Sequence, residues 1–310
     1  MRILALIPSG IGNQIYFFPT LETLKDKYPH AAIDVMVEPQ SKSAYRVCKN
    51  VNHVIAFDYQ DRSSLADYLN ILGVIRDGEY DVVMSYGVPW TVQLVLWLNG
   101  IPVRIAESQQ QTWLISRPVT PSTATYLPDK YHHLLKGLNI DAPAPKVKIN
   151  VPQKDIDWAE AEQQRLGLQD GYILIHEKIG AYPEASWSKI ITDIQAKQPG
   201  VSIVLIQNSV TEDEEITQIL SHNANVQVTA PSDIGKLAAI IAGANLIVST
   251  DSTSLALAFA TNTYTIGLCP SSVKEQILPS DNDNYFILES PTDKIENIKP
   301  ETVLEQLWRS

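Results

Sequence analysis

Five consecutive residues, Thr250-Asp251-Ser252-Thr253-Ser254, put one carboxylate and four hydroxyls into a single turn. Such a set donates and accepts hydrogen bonds in several directions, which suits the oxygens of a phosphate or diphosphate. Before it, Asn245–Thr250 is an apolar run with the composition of a strand buried on both faces. After it, small and apolar residues predict a helix from near Ser254 to about Thr261, and Tyr264–Leu268 returns as a second buried strand. The turn then lies at the carboxyl end of a parallel strand and the amino end of a helix, where unpaired N–H groups and the helix dipole favour an anion. The same residues also read as a plain N-cap, with Asp251 or Ser252 accepting from the first helical N–H groups.

A second loop, Pro8-Ser9-Gly10-Ile11-Gly12-Asn13-Gln14, follows the apolar strand Arg2–Ile7 and precedes a helix with Ile15, Phe18, Leu21 and Leu24 at helical spacing. Glycines at 10 and 12 allow a sharp turn and a close approach to a ligand. The loop is not a dinucleotide fingerprint, because the third glycine is missing and Asn13-Gln14 intervene. Strand and helix patterns alternate through the chain. Strands are expected at Ala32–Val37, His53–Phe57, Asp81–Ser85, Val103–Ala106, Gly171–Ile175, Val201–Gln207 and Val226–Val228. Helices are expected at Ser41–Asn50, Ser63–Arg76, Pro89–Leu98, Tyr126–Leu138, Asp155–Gln164, Trp187–Lys197, Glu212–Ser221, Asp233–Ala242 and Pro300–Trp308. Trp90 and Trp97, seven residues apart, read as core. Pro143, Pro145 and Pro152 mark a linker between two α/β halves, 1–148 and 149–310, expected to be Rossmann-like and to face a cleft.

Composition narrows the partners. The 310 residues are 45% hydrophobic and carry a net charge of −11. Residues 1–150 hold 14 Lys/Arg against 13 Asp/Glu, leaving 10 against 22 of the totals of 24 and 35 for the rest. A nucleic-acid partner is not expected without a basic face. No apolar stretch approaches the ~20 residues of a membrane span, and Arg2 precedes an apolar run too short for a signal peptide. The expectation is a cytoplasmic protein whose membrane role, if any, is peripheral contact. Cys48 and Cys269 form neither a disulfide framework nor a metal motif. His132 and His133, adjacent on a helix, point to different faces and do not share a metal. No metal site and no cofactor are expected.

The order of these pieces resembles glycosyltransferase family 9, the heptosyltransferase-like enzymes of the bacterial cell envelope, whose GT-B fold pairs two Rossmann-like domains. The resemblance rests on the opening Arg2-Ile-Leu strand and glycine loop, then Pro19, Leu21, Leu24 and Pro29. It rests as well on Leu237-Ala-Ala-Ile-Ile-Ala-Gly-Ala-Asn-Leu-Ile-Val-Ser-Thr-Asp-Ser252, continuing to Leu268. It implies an inverting transfer of a sugar from a nucleotide-diphosphate donor, ADP-linked donors included, to a glycan, lipid or protein acceptor. It also implies an acceptor-side first domain, a donor-side second domain and a final helix packed back on the first.

Three motifs depart from the family pattern. The family's Gly-Asp, whose Asp is considered the base, is Gly12-Asn13 here, and an amide cannot take a proton. The Lys of the family's Lys-x-Trp-Pro aligns with Ala185 in Ala185-Ser186-Trp187-Ser188. The family's Asp-Ser/Thr-Gly-x-x-His keeps Asp251 and Ser252 but has Thr253 for the glycine and Ala256 for the histidine. Base catalysis supplies about 10²–10⁴-fold and neutralisation of the leaving diphosphate often more. Compensation would come from His176-Glu177-Lys178 just past the Gly171–Ile175 strand, with Lys178 as the phosphate cation and Glu177 or His176 as base. The expected site is therefore Asn13, His176, Glu177 and Lys178 for chemistry, with Ser9, Gly10, Gly12, Asp251, Ser252, Thr253 and Ser254 for the donor and acceptor. The alternative is a catalytically degenerate relative that keeps the fold for binding or assembly.

Overall fold

A computed structural model describes residues 1–59, 64–110, 112–178, 180–207, 226–279 and 283–309. The chain divides into two compact units, Met1–Asn150 and Val151–Ser310.

In the first unit, β1 (Arg2–Leu6), β2 (Ala32–Val37), β3 (His53–Ala56), β4 (Val82–Ser85), β5 (Val103–Glu107) and β6 (Arg117–Val119) form one sheet in the order β3-β2-β1-β4-β5-β6. Every pairing is parallel. The crossovers carry α1 (Ile11–Lys27), α2 (Leu65–Asp77) and α3 (Trp90–Leu98), and α4 (Leu127–His133) runs on into a 3₁₀ turn at Leu134–Leu138. The expected helix at Ser41–Asn50 is a 3₁₀ segment, Pro39–Val47. β1, β2 and β4 are almost wholly buried, as strands covered on both faces must be. Asp34 on β2, 2% exposed, ties the amino ends together by accepting from Arg2 Nη2 at 3.2 Å, Tyr80 Oη at 2.9 Å and the His53 N–H at 3.1 Å.

The second unit repeats this topology. Its strands are β7 (Tyr172–His176), β8 (Ser202–Ile206), β9 (Val226–Thr229), β10 (Leu246–Ser249), β11 (Thr265–Cys269) and β12 (Tyr285–Glu289). They lie in the order β12-β11-β10-β7-β8-β9, all parallel. Both sheets thus have the doubly wound order in which the central strands open a crevice at their carboxyl ends. The described helices are α5 (Gln153–Leu166), α6 (Glu184–Lys197), α7 (Ile234–Ala242), α8 (Ser252–Thr261), α9 (Ser271–Ile277) and α10 (Pro300–Arg309). The expected helix at Glu212–Ser221 lies outside the described residues. Gly267 on β11 lets α8 lie close: a Cβ there would sit 2.8 Å from Leu255 Cδ2 and 2.6 Å from Ile287 Cδ1.

Trp187, wholly buried, centres a core with Ile190, Ile194, Val248 and Leu268, and Val303, Leu304 and Leu307 of α10 join it. The apolar stripe of α10 packs on α6, β11 and β12. Trp90 and Trp97, expected in a core, are instead 66% and 40% exposed. Helix α3 buries Val92, Val95 and Leu96, and its tryptophans fall on the opposite face. No helix among the described residues is long and apolar enough to cross a membrane.

One helix start gives a simple test of the local chemistry. Asp233 caps α7 by accepting from the N–H groups of Gly235 at 2.9 Å and Lys236 at 3.2 Å. Asp233→Ala is expected to cost about 1 kcal/mol, read as a lower urea midpoint with unchanged slope.

Candidate functional site

The carboxyl ends of β7 and β10 build a hydrogen-bonded constellation in the second unit. Asp251 is the N-cap of α8, its Oδ1 accepting from the Ser254 N–H at 2.8 Å. The Leu255 N–H goes to the Asp251 carbonyl at 3.0 Å. The N–H groups of Ser252 and Thr253 are the helix donors with no carbonyl a turn earlier to bind. The capping reading holds for Asp251, whose carboxylate is committed to the cap, while Ser252 is exposed and Thr253 half-buried.

Beneath the turn, hydrogen bonds fasten the two strand ends together. Ser249 Oγ donates to the His176 carbonyl at 2.8 Å and accepts from the Asp251 N–H at 3.0 Å. The Thr250 N–H also reaches the His176 carbonyl, at 3.2 Å. The imidazole of His176, 2% exposed, hydrogen-bonds through Nδ1 to Ser254 Oγ and lies 3.9 Å from Asp251 Oδ1. Ser254 is itself fully buried. His176 and Ser254, both expected at the site, are thus buried and hydrogen-bonded to each other.

The next two residues leave the strand. Glu177, half-buried, accepts the Tyr182 N–H at 3.0 Å and closes its own loop. Lys178 is exposed, and its N–H donates to Thr250 Oγ1 at 2.8 Å, which fixes its backbone against the turn. The sequence gap of 72 residues between Lys178 and Thr250 closes because β7 pairs with β10 in parallel register, Ile175 opposite Val248 and His176 opposite Ser249. Ala185, at the family's Lys position, is exposed in the first turn of α6, while Trp187 of the same motif is core.

In the first unit the expected loop is shorter than the sequence suggests. Helix α1 already begins at Ile11, with Gly10 as its N-cap at φ −66°, so Gly12 and Asn13 lie in its first turn. Gly10 thus stays outside the left-handed region. Asn13 is half-buried and Gly12 buried. The residue that shapes the loop is Gln14, 0% exposed, which donates to the carbonyls of Ile7 at 2.6 Å and Ser9 at 3.2 Å and accepts from Tyr45 Oη at 2.6 Å. Ser41 Oγ adds a hydrogen bond to the Ser9 carbonyl at 2.7 Å. The sequence carries a signal for this, an amide amid apolar helix positions, but its partner Tyr45 is 31 residues away.

Among the described residues no group of three or more His, Cys, Asp or Glu is placed to hold a metal ion. Burial pushes the Cys48 and Cys269 thiols up to about 11, so both are poor nucleophiles at neutral pH.

The chain is 22% identical to the photosynthetic NDH subunit of subcomplex B 1 of Arabidopsis thaliana, over 97% of this chain and 72% of that one. It is 21% identical to lipopolysaccharide heptosyltransferase 3 of Escherichia coli, over 83% and 80%. The solved E. coli heptosyltransferase WaaC with ADP-2-deoxy-2-fluoro heptose superposes with a TM-score of 0.76 at 17% identity, covering 100% of this chain and 99% of that one. The model of glycosyltransferase family 9 (heptosyltransferase) matches residues 70–307. With two parallel six-stranded sheets of doubly wound order and that match over most of its length, the chain belongs to glycosyltransferase family 9.

Proposed function

We propose that the protein transfers a sugar from a nucleotide-diphosphate donor, with the diphosphate on the outward hydroxyls and N–H groups of Ser252 and Thr253. The observation that carries this reading is the Lys178–Thr250 hydrogen bond, which sets a cationic side chain beside a helix start whose carboxylate is already spent on capping. Lys178 takes the place of the cation that the family keeps at the Ala185 position. The acceptor hydroxyl attacks the anomeric carbon, the bond from that carbon to the diphosphate oxygen breaks, and its electron pair leaves with the diphosphate. Inversion follows from this single displacement. Glu177 rather than His176 receives the acceptor proton, since His176 is buried against Ser254. The loop at Ser9–Asn13, braced by Gln14, serves the acceptor, and Asn13 contributes hydrogen bonds rather than base chemistry. The WaaC structure with an ADP-heptose analogue supports an ADP-linked donor.

Calorimetric titration with ADP-, UDP-, GDP- and dTDP-linked sugars tests the reading, and one of them is expected to bind in the micromolar range. Ser252→Leu with Thr253→Val should abolish that binding, and unchanged binding would move the site elsewhere. A second reading is favoured by one observation: the Arabidopsis relative, matched over 97% of this chain, bears the name of a complex subunit. On that reading, with the family's Asp and Lys replaced by Asn13 and Ala185, the fold serves assembly and none of the four donors binds at millimolar concentration.

A further inference from the structure

Between Asp81 and Arg104 no side chain carries a charge, and the same holds between Glu107 and Arg117. The structure brings these two stretches together. Trp97 of α3 meets Trp113 edge to face, ring centroids 5.0 Å apart and planes at 89°. Both are open to solvent, at 40% and 60%, and Trp90 on the same face of α3 is 66% exposed. Helix α2 lies alongside, joined by a 2.9 Å hydrogen bond between Tyr68 Oη and Thr91 Oγ1, and exposes Leu65 and Leu69. Leu98 is exposed at the end of α3.

The exposed Trp113 is held in place by a dedicated set of hydrogen bonds. Arg104 donates through Nη2 to the Trp113 carbonyl at 3.0 Å, through Nε to the Leu114 carbonyl at 2.8 Å and through Nη1 to the Ile101 carbonyl. Its own N–H donates to Ser116 Oγ at 2.9 Å, and the Ile115 N–H goes to Thr112 Oγ1 at 3.2 Å. A guanidinium that spends two donors on the loop 112–116 and one on the Ile101 carbonyl fixes the backbone that carries an exposed indole, and a group positioned before contact loses less entropy on binding.

We propose that this face of α2, α3 and Trp113 is the interface of a two-fold symmetric homodimer. Taking about 250 Å² for a whole tryptophan, the three indoles expose roughly 400 Å², and the three leucines bring the face to roughly 750 Å². That matches the ~800 Å² that each partner gives to a standard interface and exceeds the ~300–600 Å² of the largest apolar patch on a typical monomer. Charge selects the occupant. Residues 1–150, which carry this face, are close to neutral, with 14 Lys/Arg against 13 Asp/Glu, so a second copy is not repelled here, and the tryptophan face meets itself with no like charges opposed, as an isologous contact requires. The charges beside it on α2, Asp67, Arg76 and Asp77, are of both signs and can face one another across the axis. An anionic lipid surface is disfavoured because residues 82–103 and 108–116 carry no cation and the guanidinium of Arg104 is turned inward to carbonyls. This inference does not depend on the transferase reading.

Sedimentation equilibrium of the full chain from about 1 to about 100 μM is expected to show a dimer with a micromolar or tighter dissociation constant. Trp90→Glu places two carboxylates at one interface and is expected to weaken association at least roughly a hundredfold, since opposed like charges cost several kcal/mol. Trp113→Ser, in a loop still held by Arg104, should weaken it roughly tenfold or more. Both positions are exposed, so both variants should keep the wild-type far-UV circular dichroism, their melting temperature falling only by what the lost association contributed. A monomer across the whole range overturns the proposal, as does a dimer that neither folded variant weakens. A monomer that floats with phosphatidylcholine vesicles, and loses this with Trp90→Glu, would give the face to lipid instead.

Discussion

His176→Ala is expected to destabilise the second unit by about 2–4 kcal/mol and to weaken nucleotide-sugar binding in the same variant. Two effects add. The Ser254 hydroxyl, fully buried, loses its imidazole partner, and an unsatisfied buried hydroxyl costs about 1–3 kcal/mol. Removal of the ring also leaves a cavity that the close-packed strand end fills only partly. Binding falls because Ser254 stands in the first turn of α8, the helix start that Ser252 and Thr253 share. His176→Asn separates this bracing role from a catalytic one, since an asparagine carries a polar atom the same number of bonds from Cβ as Nδ1. It should recover at least half of the lost stability in urea denaturation and most of the donor affinity. An alanine variant as stable as the wild type but unable to bind or turn over donor would sink the brace and return His176 to the substrate.

The positions of most strands could be read from the sequence because parallel strands buried on both faces are apolar runs bounded by polar residues, as Ala32–Val37 and Tyr172–His176 show. The edges were harder to see. β6 is three residues with Pro118 in the middle, a residue that sheets tolerate only where a ladder N–H is not needed. β12 follows a polar loop and gives no signal until its register against β11 is known. The tryptophans of α3 misled for a different reason: periodicity shows that a helix has an apolar face but not whether another element covers it. Here the sheet takes Val92, Val95 and Leu96 and leaves Trp90 and Trp97 outside. Within the candidate site, the turn itself was legible from Asp251 and its hydroxyls. The division of labour inside it was not, because the His176–Ser254 pair spans 78 residues and exists only once β7 and β10 lie side by side.

Lys178→Met is expected to lower donor affinity roughly ten- to hundredfold, about 1.5–3 kcal/mol, while leaving the protein folded. The exposed side chain makes no core contact, so its removal has little to do to stability, and methionine keeps the length of the stem without the charge. The backbone hydrogen bond to Thr250 Oγ1 does not involve the side chain and should survive the substitution. Because the site is open to solvent, the contribution should be screened by salt: wild-type affinity falls between about 50 and about 500 mM salt, and the variant falls less. Lys178→Arg should retain most of the binding. Adding Ala185→Lys to Lys178→Met should restore part of it, since Ala185 is exposed at the place where the family carries its cation. Paired titrations of wild type and Lys178→Met against the best nucleotide sugar decide the matter. Equal, tight binding in both proteins would remove Lys178 from the site while keeping the Ser252–Thr253 turn in play. Absence of binding in folded wild type at millimolar donor would remove the turn as well, and the fold of a glycosyltransferase would then be serving assembly rather than transfer.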